Sequence, residues 1–592
     1  MALKKLLILL TIECVFLHSS KAQVRSYPAN SLQETYMMLS NLHGINTERF
    51  YPQEYNSLKA NWGFDTVVRN RHYTELTLLP PIRTIKPHQY FTYAHPNFSL
   101  MPQYTPRFLR FLRPLGKNTI LKTPAWFYSW MDKSTNKGSF FVVNPILHTE
   151  FSPKTPYTSR YLNNTKGIEL FGQFSKNLSF STQLVESQFY FQKHITRYQD
   201  TFNVTPNVGY WNKNLYGYSD FFRARANMYA SVVNSASSKT HVLLSAGHDN
   251  QHIGNGYRSL LISNFSPATA YLKVNTRLGP FRYQNLYQEL SATDKPSGSR
   301  LLPKKYMAMH RASLEFAKPD WLNNKNDEKL ENWIELGLSE MILQTRPTGG
   351  MDVNYWNPII FYRSIERDLG SPDNVLIMFD GKIRQKNALL YAQFLLDEFS
   401  FGDLIKGNTW RNKHGYQLGM YVKPNLSAVY PKFGSIIIQA EVNSIRPFTY
   451  SHSSMDANAV NFNQALAHPL ESNFRELNFS VRYKPAFIRG FLFTHTTFFA
   501  VRGFDFSTTG ENYGSDIRRD YRTRIANDNV NILQGEVGNI LHSKTQVFYE
   551  LMPNMWVYLA AQFRTQTGHQ SSREYYIYLG LRWNWYEEQQ LF

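Results

Sequence analysis

Between Tyr575 and Trp585 the chain alternates strictly. Tyr575, Ile577, Leu579, Leu581, Trp583 and Trp585 share one parity, and Tyr576, Tyr578, Gly580, Arg582 and Asn584 share the other. Successive strand side chains point to opposite faces, so this reads as a strand with one apolar, aromatic-rimmed face and one polar face. The same period recurs upstream. Leu272 and Val274 alternate with Lys273, Asn275 and Arg277, and Ala312, Leu314 and Phe316 alternate with Arg311, Ser313 and Glu315. Ile334, Leu336 and Leu338 alternate with Glu335, Gly337 and Ser339, and Ile436, Ile438, Ala440 and Val442 with Ile437, Gln439, Glu441 and Asn443. Leu477, Phe479, Val481 and Tyr483 alternate with Asn478, Ser480 and Arg482. Charges in mid-strand on one parity are costly in a dry sandwich core and at home in a wet lumen. Trp and Tyr at strand ends suit the water–lipid boundary. The pattern predicts an all-β fold, a transmembrane antiparallel β-barrel of about 18 strands.

The joints support this. Gly279-Pro280, Lys386-Asn387 and Pro553-Asn554 read as tight turns, whereas 188–221, 344–376, 444–474 and 503–531 are long. Short periplasmic turns and long extracellular loops are the outer-membrane arrangement. Within 344–376, Ile359, Ile360, Ile365 and Leu369 form an apolar stripe with Gly370 as a stop, which predicts a short helix. The barrel is expected over 136–592, preceded by a partly helical periplasmic region at 23–135. That region opens with a capping box, Ser31 to Glu34, followed by Leu32, Tyr36, Leu39 and Leu42 at helical spacing. Residues 1–22 read as a signal peptide: Lys4 and Lys5, an apolar core from Leu6 to Leu17, and a small-residue cleavage site ending at Ala22.

Composition adds two facts. Aromatics make up 15% of the 592 residues, with 38 Tyr and 42 Phe, which suits a lipid face with two interfacial girdles. The formal charge is +20, so anionic partners are favoured: acidic polysaccharide or lipopolysaccharide phosphate, with nucleic acid excluded by compartment. The one cysteine, Cys14, lies in the signal segment and lacks the small residue before it that a lipobox needs. The mature chain thus has no disulfide or thiolate chemistry.

The most unusual segment is Gly247 to Arg258, Gly-His-Asp-Asn-Gln-His-Ile-Gly-Asn-Gly-Tyr-Arg. Gly254-x-Gly256 lacks both the third glycine and the βαβ context of a nucleotide loop. His248 and His252 are four apart but follow a strand, Val242 to Ser245, rather than sitting on a helix, so no metal site is assigned. The segment reads as a glycine-kinked strand end that turns polar groups into the lumen or loops. Asp397 and Glu398 are adjacent and point to opposite faces, so they do not flank one glycosidic bond. His495 and His542 lie in or near strands with no Ser-His-Asp spacing. No catalytic residue and no cofactor is expected.

Several motifs occur in order: Gly247-His-Asp249, Ile253 to Asn264, Asn357 to Arg363, Gly370 to Asn374, Leu395 to Phe399, Arg446 to His452 and Ala467 to Leu470. Together they resemble the Wzi-like capsule-assembly proteins, with the nearest likeness to a Bacteroidetes branch that includes the gliding-motility protein RemB. The resemblance is strong over 240–490 and weak over the rest of the barrel. It implies an outer-membrane barrel with a small periplasmic helical bundle that binds or anchors capsular polysaccharide. The alternative it implies is a component of a gliding-motility or surface-adhesion apparatus, with motility or surface-assembly proteins as partners. Ile253-Gly-Asn-Gly256 departs from the Trp-Gly-Pro-Gly form of the capsule branch. Within these motifs Asp249, Arg258, Asn264, Arg363, Glu366, Asp397, Glu398, Arg446 and His468 offer charge-assisted or polar contacts to a glycan. Tyr257, Trp356, Tyr362 and Tyr450 offer ring faces to pyranoses. The competing reading of the charged set is a lumenal ion-pair network that braces the barrel. Arg518, Arg519, Arg522 and Arg524, in an external loop, are candidates for contact with anionic sugar or lipid phosphate.

Overall fold

The computed structural model describes residues 126–583, with gaps in connecting segments, the longest at 293–303, 320–332, 345–349 and 403–407. The expected signal peptide and most of the partly helical region expected at 23–135 lie outside the described residues, as does Glu398; the one described piece of that region, Trp126–Asp132, is a strand. Eighteen antiparallel strands close into a barrel. In chain order they are β1 (Lys137–Ser152), β2 (Tyr161–Ser175), β3 (Leu178–Tyr190), β4 (Ser219–Ser235), β5 (Thr240–Asp249), β6 (Thr269–Leu278), β7 (Phe281–Ser291), β8 (Lys304–Phe316) and β9 (Ile334–Gln344). They continue as β10 (Asn374–Gln385), β11 (Ala388–Asp397), β12 (Lys413–Val422), β13 (Ser435–Ile445), β14 (Phe474–Lys484), β15 (Phe491–Phe504), β16 (Glu536–Met552), β17 (Met555–Thr567) and β18 (Ser572–Trp583). Each strand pairs with its chain neighbours. Leu147↔Trp583 through Phe151↔Leu579 join β1 to β18. The first residues of β1 pair instead with a preceding strand, Trp126–Asp132, from Trp126↔Val143 to Asp132↔Lys137.

Alternation decides which side chains face out. On β8, Leu314 and Phe316 are exposed while Arg311, Ser313 and Glu315 are buried. On β18, Tyr575, Ile577 and Leu579 are exposed and Tyr576 and Tyr578 are buried. Exposed Leu336, Phe379, Leu418, Leu477 and Leu559 continue the outer apolar belt on other strands. No described helix is long and apolar enough to cross a membrane.

The inward face is braced by ion pairs toward the end with the short turns. Arg311 grips Asp380 with both arms, Nε–Oδ1 3.0 Å and Nη2–Oδ2 2.6 Å, and reaches Glu335 at 2.9 Å. Lys382 also pairs Glu335, at 3.1 Å, and Arg277 and Arg282 share Glu315 at 3.1 and 2.8 Å. Buried charges require partners of this kind.

The opposite end carries the long connections, as expected for 191–218, 345–373, 446–473 and 505–535. It also carries 292–303, 398–412 and one more that differs in kind. β5 stops at Asp249, and 250–268 is a full loop folded into the lumen, with Gln251 to Ser263 buried throughout. The loop 446–473 turns inward beside it. Ser263 N donates to Leu466 O (2.8 Å), and the Tyr450 hydroxyl donates to Leu260 O (2.6 Å). Helix α1 (Lys193–Phe202) lies across the same end, His194 against Glu574 at 2.9 Å. Helix α2 (Tyr362–Leu369) forms where the apolar stripe predicts it and ends at Gly370 in the left-handed conformation, φ 58°. The expected stripe is split, however: Ile365 packs with the buried Tyr362 against the wall, whereas Leu369, and Ile359 ahead of the helix, are exposed.

Candidate functional site

The Gly254-x-Gly256 loop has a direct structural purpose. It wraps a carboxylate, that of Glu441 on the inward face of β13. Tyr257 N and Arg258 N donate to Glu441 Oε2 and Oε1 at 2.7 and 3.1 Å, and the Tyr391 hydroxyl and Asn443 Nδ2 add 2.7 and 3.0 Å. Successive backbone amides curled around an anion form a nest. A side chain does not fit here. A Cβ on Gly256 would stand 2.5 Å from Gln417 Oε1 and 2.6 Å from Glu441 Oε2, and Gly254 has φ 120°. Gln393 Oε1 accepts from Leu260 N (2.9 Å), and the Tyr421 hydroxyl donates to Asn255 O (3.0 Å), so β11 to β13 hold the loop tip from several sides.

The second carboxylate, Glu476 on β14, gathers two sequence candidates far apart in the chain. Arg258 Nη2 meets Oε1 at 3.2 Å and His468 Nε2 meets Oε2 at 2.9 Å. Asp397 accepts from Tyr450 N (2.6 Å), holding Tyr450 at φ 74°, a conformation that non-glycine residues adopt rarely. Arg446 donates to Asn412 O (2.8 Å) and Val530 O (2.7 Å), tying three loops together. Asn264 is half-buried in the inward loop. Tyr257, Arg258, Asp397, Tyr450 and His468 thus form one buried plug. Asp249 sits apart near the end of β5, taking a hydrogen bond from Asn227 (2.7 Å) with Arg225 at 3.5 Å. Trp356, Tyr362, Arg363 and Glu366 sit apart again, on the outer wall of the barrel. His248 faces outward and His252 is buried in the plug, and among the described residues no group of three or more His, Cys, Asp or Glu is placed to hold a metal ion. His495 and His542 fall on opposite faces of the wall.

The arginine run divides. Arg518 grips Glu471 with Nη1–Oε1 2.5 Å and Nη2–Oε2 3.0 Å, and its guanidinium lies 3.8 Å from the centre of the Phe202 ring. The carboxylates of Asp516 and Glu471 hold it above its ordinary pKa against the cost of burial. Arg519 pairs with Asp505 at 3.3 Å and bonds Gly510 O. Arg522 and Arg524 belong to a ledge that sequence reasoning missed in part. Trp410 lies under Arg524, whose Cζ is 3.9 Å from the ring centre, and beside Tyr521 at 4.7 Å. Arg411 reaches the same indole at 5.7 Å, and Lys413 Nζ stands 4.1 Å from the Tyr521 ring. Arg522 is exposed, bound to Asp520 at 2.7 Å and to Ser453 O at 2.9 Å. Trp410 N to Asn527 O (3.0 Å) and Val530 N to Asn408 O (2.8 Å) lock the two loops in register. Burial, and then the neighbouring Arg411, lower the Arg524 pKa from its ordinary value. Cations held this close are an arrangement that an incoming anion relieves. Only the run of arginines was a signal in the sequence. Nothing in the lone Trp410-Arg411 pair announces the contact.

The barrel is similar to Wzi. That protein is described as an outer-membrane, carbohydrate-binding β-barrel involved in group 1 capsule assembly in Escherichia coli. The match has a TM-score of 0.51 at 10% identity and covers 95% of this chain and 100% of Wzi. At that identity the likeness is one of fold. Two other barrels match less well: Pseudomonas aeruginosa OpdK, solved with vanillate (TM-score 0.37, 9% identity, 75% and 98% covered), and Acinetobacter baumannii OccAB2 (0.40, 7%, 75% and 97%). No protein-family model and no curated protein matches the chain.

Proposed function

We propose that this chain is an outer-membrane barrel, plugged by its own loops, that holds an anionic surface polysaccharide at its extracellular end without catalysing a reaction. The observation that carries this is the ledge of Arg411 and Arg524 over Trp410, with Tyr521 and the exposed Arg522 beside it, built on a lumen filled by inward loops. Guanidinium groups meet carboxylates and phosphates in two-pronged geometry, and the buried Trp410 with the half-buried Tyr521 beneath holds them in place at the surface. The lumenal candidates serve as bracing in this reading: their charges are engaged with Glu441, Glu476 and Asp397. Wzi, with the same fold, binds carbohydrate, which agrees with the assignment.

The test is binding of alginate, a polyuronate, against neutral dextran by the full-length protein in detergent. Alginate is retained and dextran is not. In an Arg522→Gln/Arg524→Gln variant the alginate affinity falls about tenfold or more, since each exposed charge-assisted contact contributes roughly 1 kcal/mol. Added salt weakens the parent more than the variant. Equal retention of the two polymers, or an unaffected double variant, overturns the proposal.

A further inference from the structure

Glu340 on β9 and His310 on β8 point out of the barrel, not into it. They have the parity of Leu336 and Leu314, which are exposed on the apolar belt. Across the sheet they share a ladder row with Val274 and Asn285 on one side and Ile377 on the other. One outward position nearer the turn end come Ala312, Leu338 and Phe379. A carboxylate there would face hydrocarbon, yet both residues are buried.

What covers them is the 350–371 segment, folded down over the outer wall. Glu340 caps its helix: Tyr362 N and Arg363 N, the first amides of α2, donate to Oε2 and Oε1 at 2.7 and 2.9 Å. His310 Nε2 stands 3.2 Å from the same carboxylate, and its ring packs on Tyr362 with centroids 4.4 Å apart. Tyr287, also outward, stacks on Trp356 at 5.3 Å and donates to Trp356 O at 3.0 Å. The clip thereby hides a polar patch of the wall.

Its far side is uncovered and carries large apolar side chains, with Asn354, Ser364 and Asp368 exposed among them. Val353 is 80% exposed, Ile359 81%, Phe361 58% and Trp356 48%, which is far from what a soluble loop presents. Arg363 and Arg367 are exposed on the adjoining helix, Arg363 bound to Glu366 at 2.7 Å. An apolar surface that continues the lipid-facing belt and is edged by two guanidinium groups matches an acylated, phosphorylated lipid. We propose that residues 350–371 are a lipid-embedded clip that seats such a lipid of the outer leaflet, acyl chains on Val353, Trp356, Ile359 and Phe361 and phosphate on Arg363 and Arg367. The proposal rests on the barrel lying in a membrane and is independent of the glycan ledge.

The test uses the full-length chain with Cys14→Ser and one added cysteine carrying an environment-sensitive fluorophore: Ile359→Cys on the clip, Leu579→Cys on the belt or Thr509→Cys in the 505–535 loop. Each protein is placed in phosphatidylcholine vesicles containing acyl-chain nitroxide and either diphosphoryl lipid A or its dephosphorylated form. The Ile359 label is quenched as strongly as the Leu579 label, and the Thr509 label is not. Retention of diphosphoryl over dephosphorylated lipid A falls about tenfold in an Arg363→Gln/Arg367→Gln variant, as fits the loss of two exposed charge-assisted contacts. If Leu579 is quenched and Ile359 stays aqueous, the clip is overturned while the barrel stands. If neither is quenched, the membrane placement fails. An unchanged phosphate preference in the double variant overturns the phosphate assignment. An Ile359 label shielded in native membranes but not in the vesicles points to a protein partner and overturns the lipid.

Discussion

The sharpest consequence of the plug concerns Glu441. Replacing it by alanine removes the acceptor for Tyr257 N and Arg258 N and leaves both amides buried, along with the Tyr391 hydroxyl. Each buried donor left without a partner costs about 1–3 kcal/mol, so the two loop amides together put the seated plug at a disadvantage of roughly 2–6 kcal/mol. At about 1.4 kcal/mol per decade, the released-to-seated ratio rises roughly 30-fold to 10⁴-fold. Arg258 keeps Glu476, so the loop tip loosens before the whole plug leaves. The assay is single-channel current in planar bilayers, with heat-modifiable mobility on gels to verify that the barrel itself is folded. The parent is closed for most of the record, and Glu441→Ala shows long openings. Glu441→Gln, which keeps a carbonyl acceptor for one amide, falls between them. A folded Glu441→Ala barrel with the parent's open fraction would refute the reasoning, since the amides then need no carboxylate.

Three further outcomes follow from the same contacts. Gly256→Ala drives a methyl group into Gln417 and Glu441 and raises the open fraction in the same recording, at a cost of about 1–3 kcal/mol typical of overpacking. Arg518→Ala breaks the two-pronged pair with Glu471; losing one partner of a largely buried pair costs about 3–5 kcal/mol, read as faster proteolytic cutting in 505–535 and a lower thermal midpoint. Acid releases the plug: burial lowers the His468 pKa below its ordinary value despite Glu476 beside it, and burial with Arg564 nearby lowers that of His194. The released form therefore binds the proton more tightly, and the stabilisation present at neutral pH is lost as pH falls below about 6.5. Openings are more frequent near about pH 5 than near about pH 7.5, and His468→Gln flattens the dependence.

The strands were legible because their period is local. Whether Arg311 faces lumen and Leu314 faces lipid depends on parity alone, and nothing distant overrides it. The direction of a loop carries no such period. The segments 250–268 and 446–473 are mixed in polarity, and what draws them inward is a set of acceptors on the lumenal wall: Glu441 and Glu476, 184 and 218 residues beyond their loop partners, for the first, and Asp397 and Glu476 for the second. Glu441 was visible as a mid-strand carboxylate on the lumenal parity, but its partner loop was not. Gly254-x-Gly256 shows the same limit: the glycines do mark an anion loop, and the anion is a side chain of the protein itself. For α2 the apolar stripe and Gly370 fixed the helix, whereas periodicity is silent about which medium the stripe faces. Trp356, Tyr362, Arg363 and Glu366 accordingly read as glycan contacts in sequence and lie on the outer wall in three dimensions.

The seam between the first and last strands bears on how the cylinder is made. Leu147 to Phe151 supply five rungs to β18, whereas β15 and β16 share fourteen, so this joint zips last and yields first under load. The rest of that border would present bare amides and carbonyls, an invitation to any stray strand. Trp126–Asp132 occupies it like a sealing strip. A chain trimmed to begin at Lys137 keeps every wall strand and still leaves half of one border unsealed, so it trades a closed cylinder for one prone to edge-to-edge dimers.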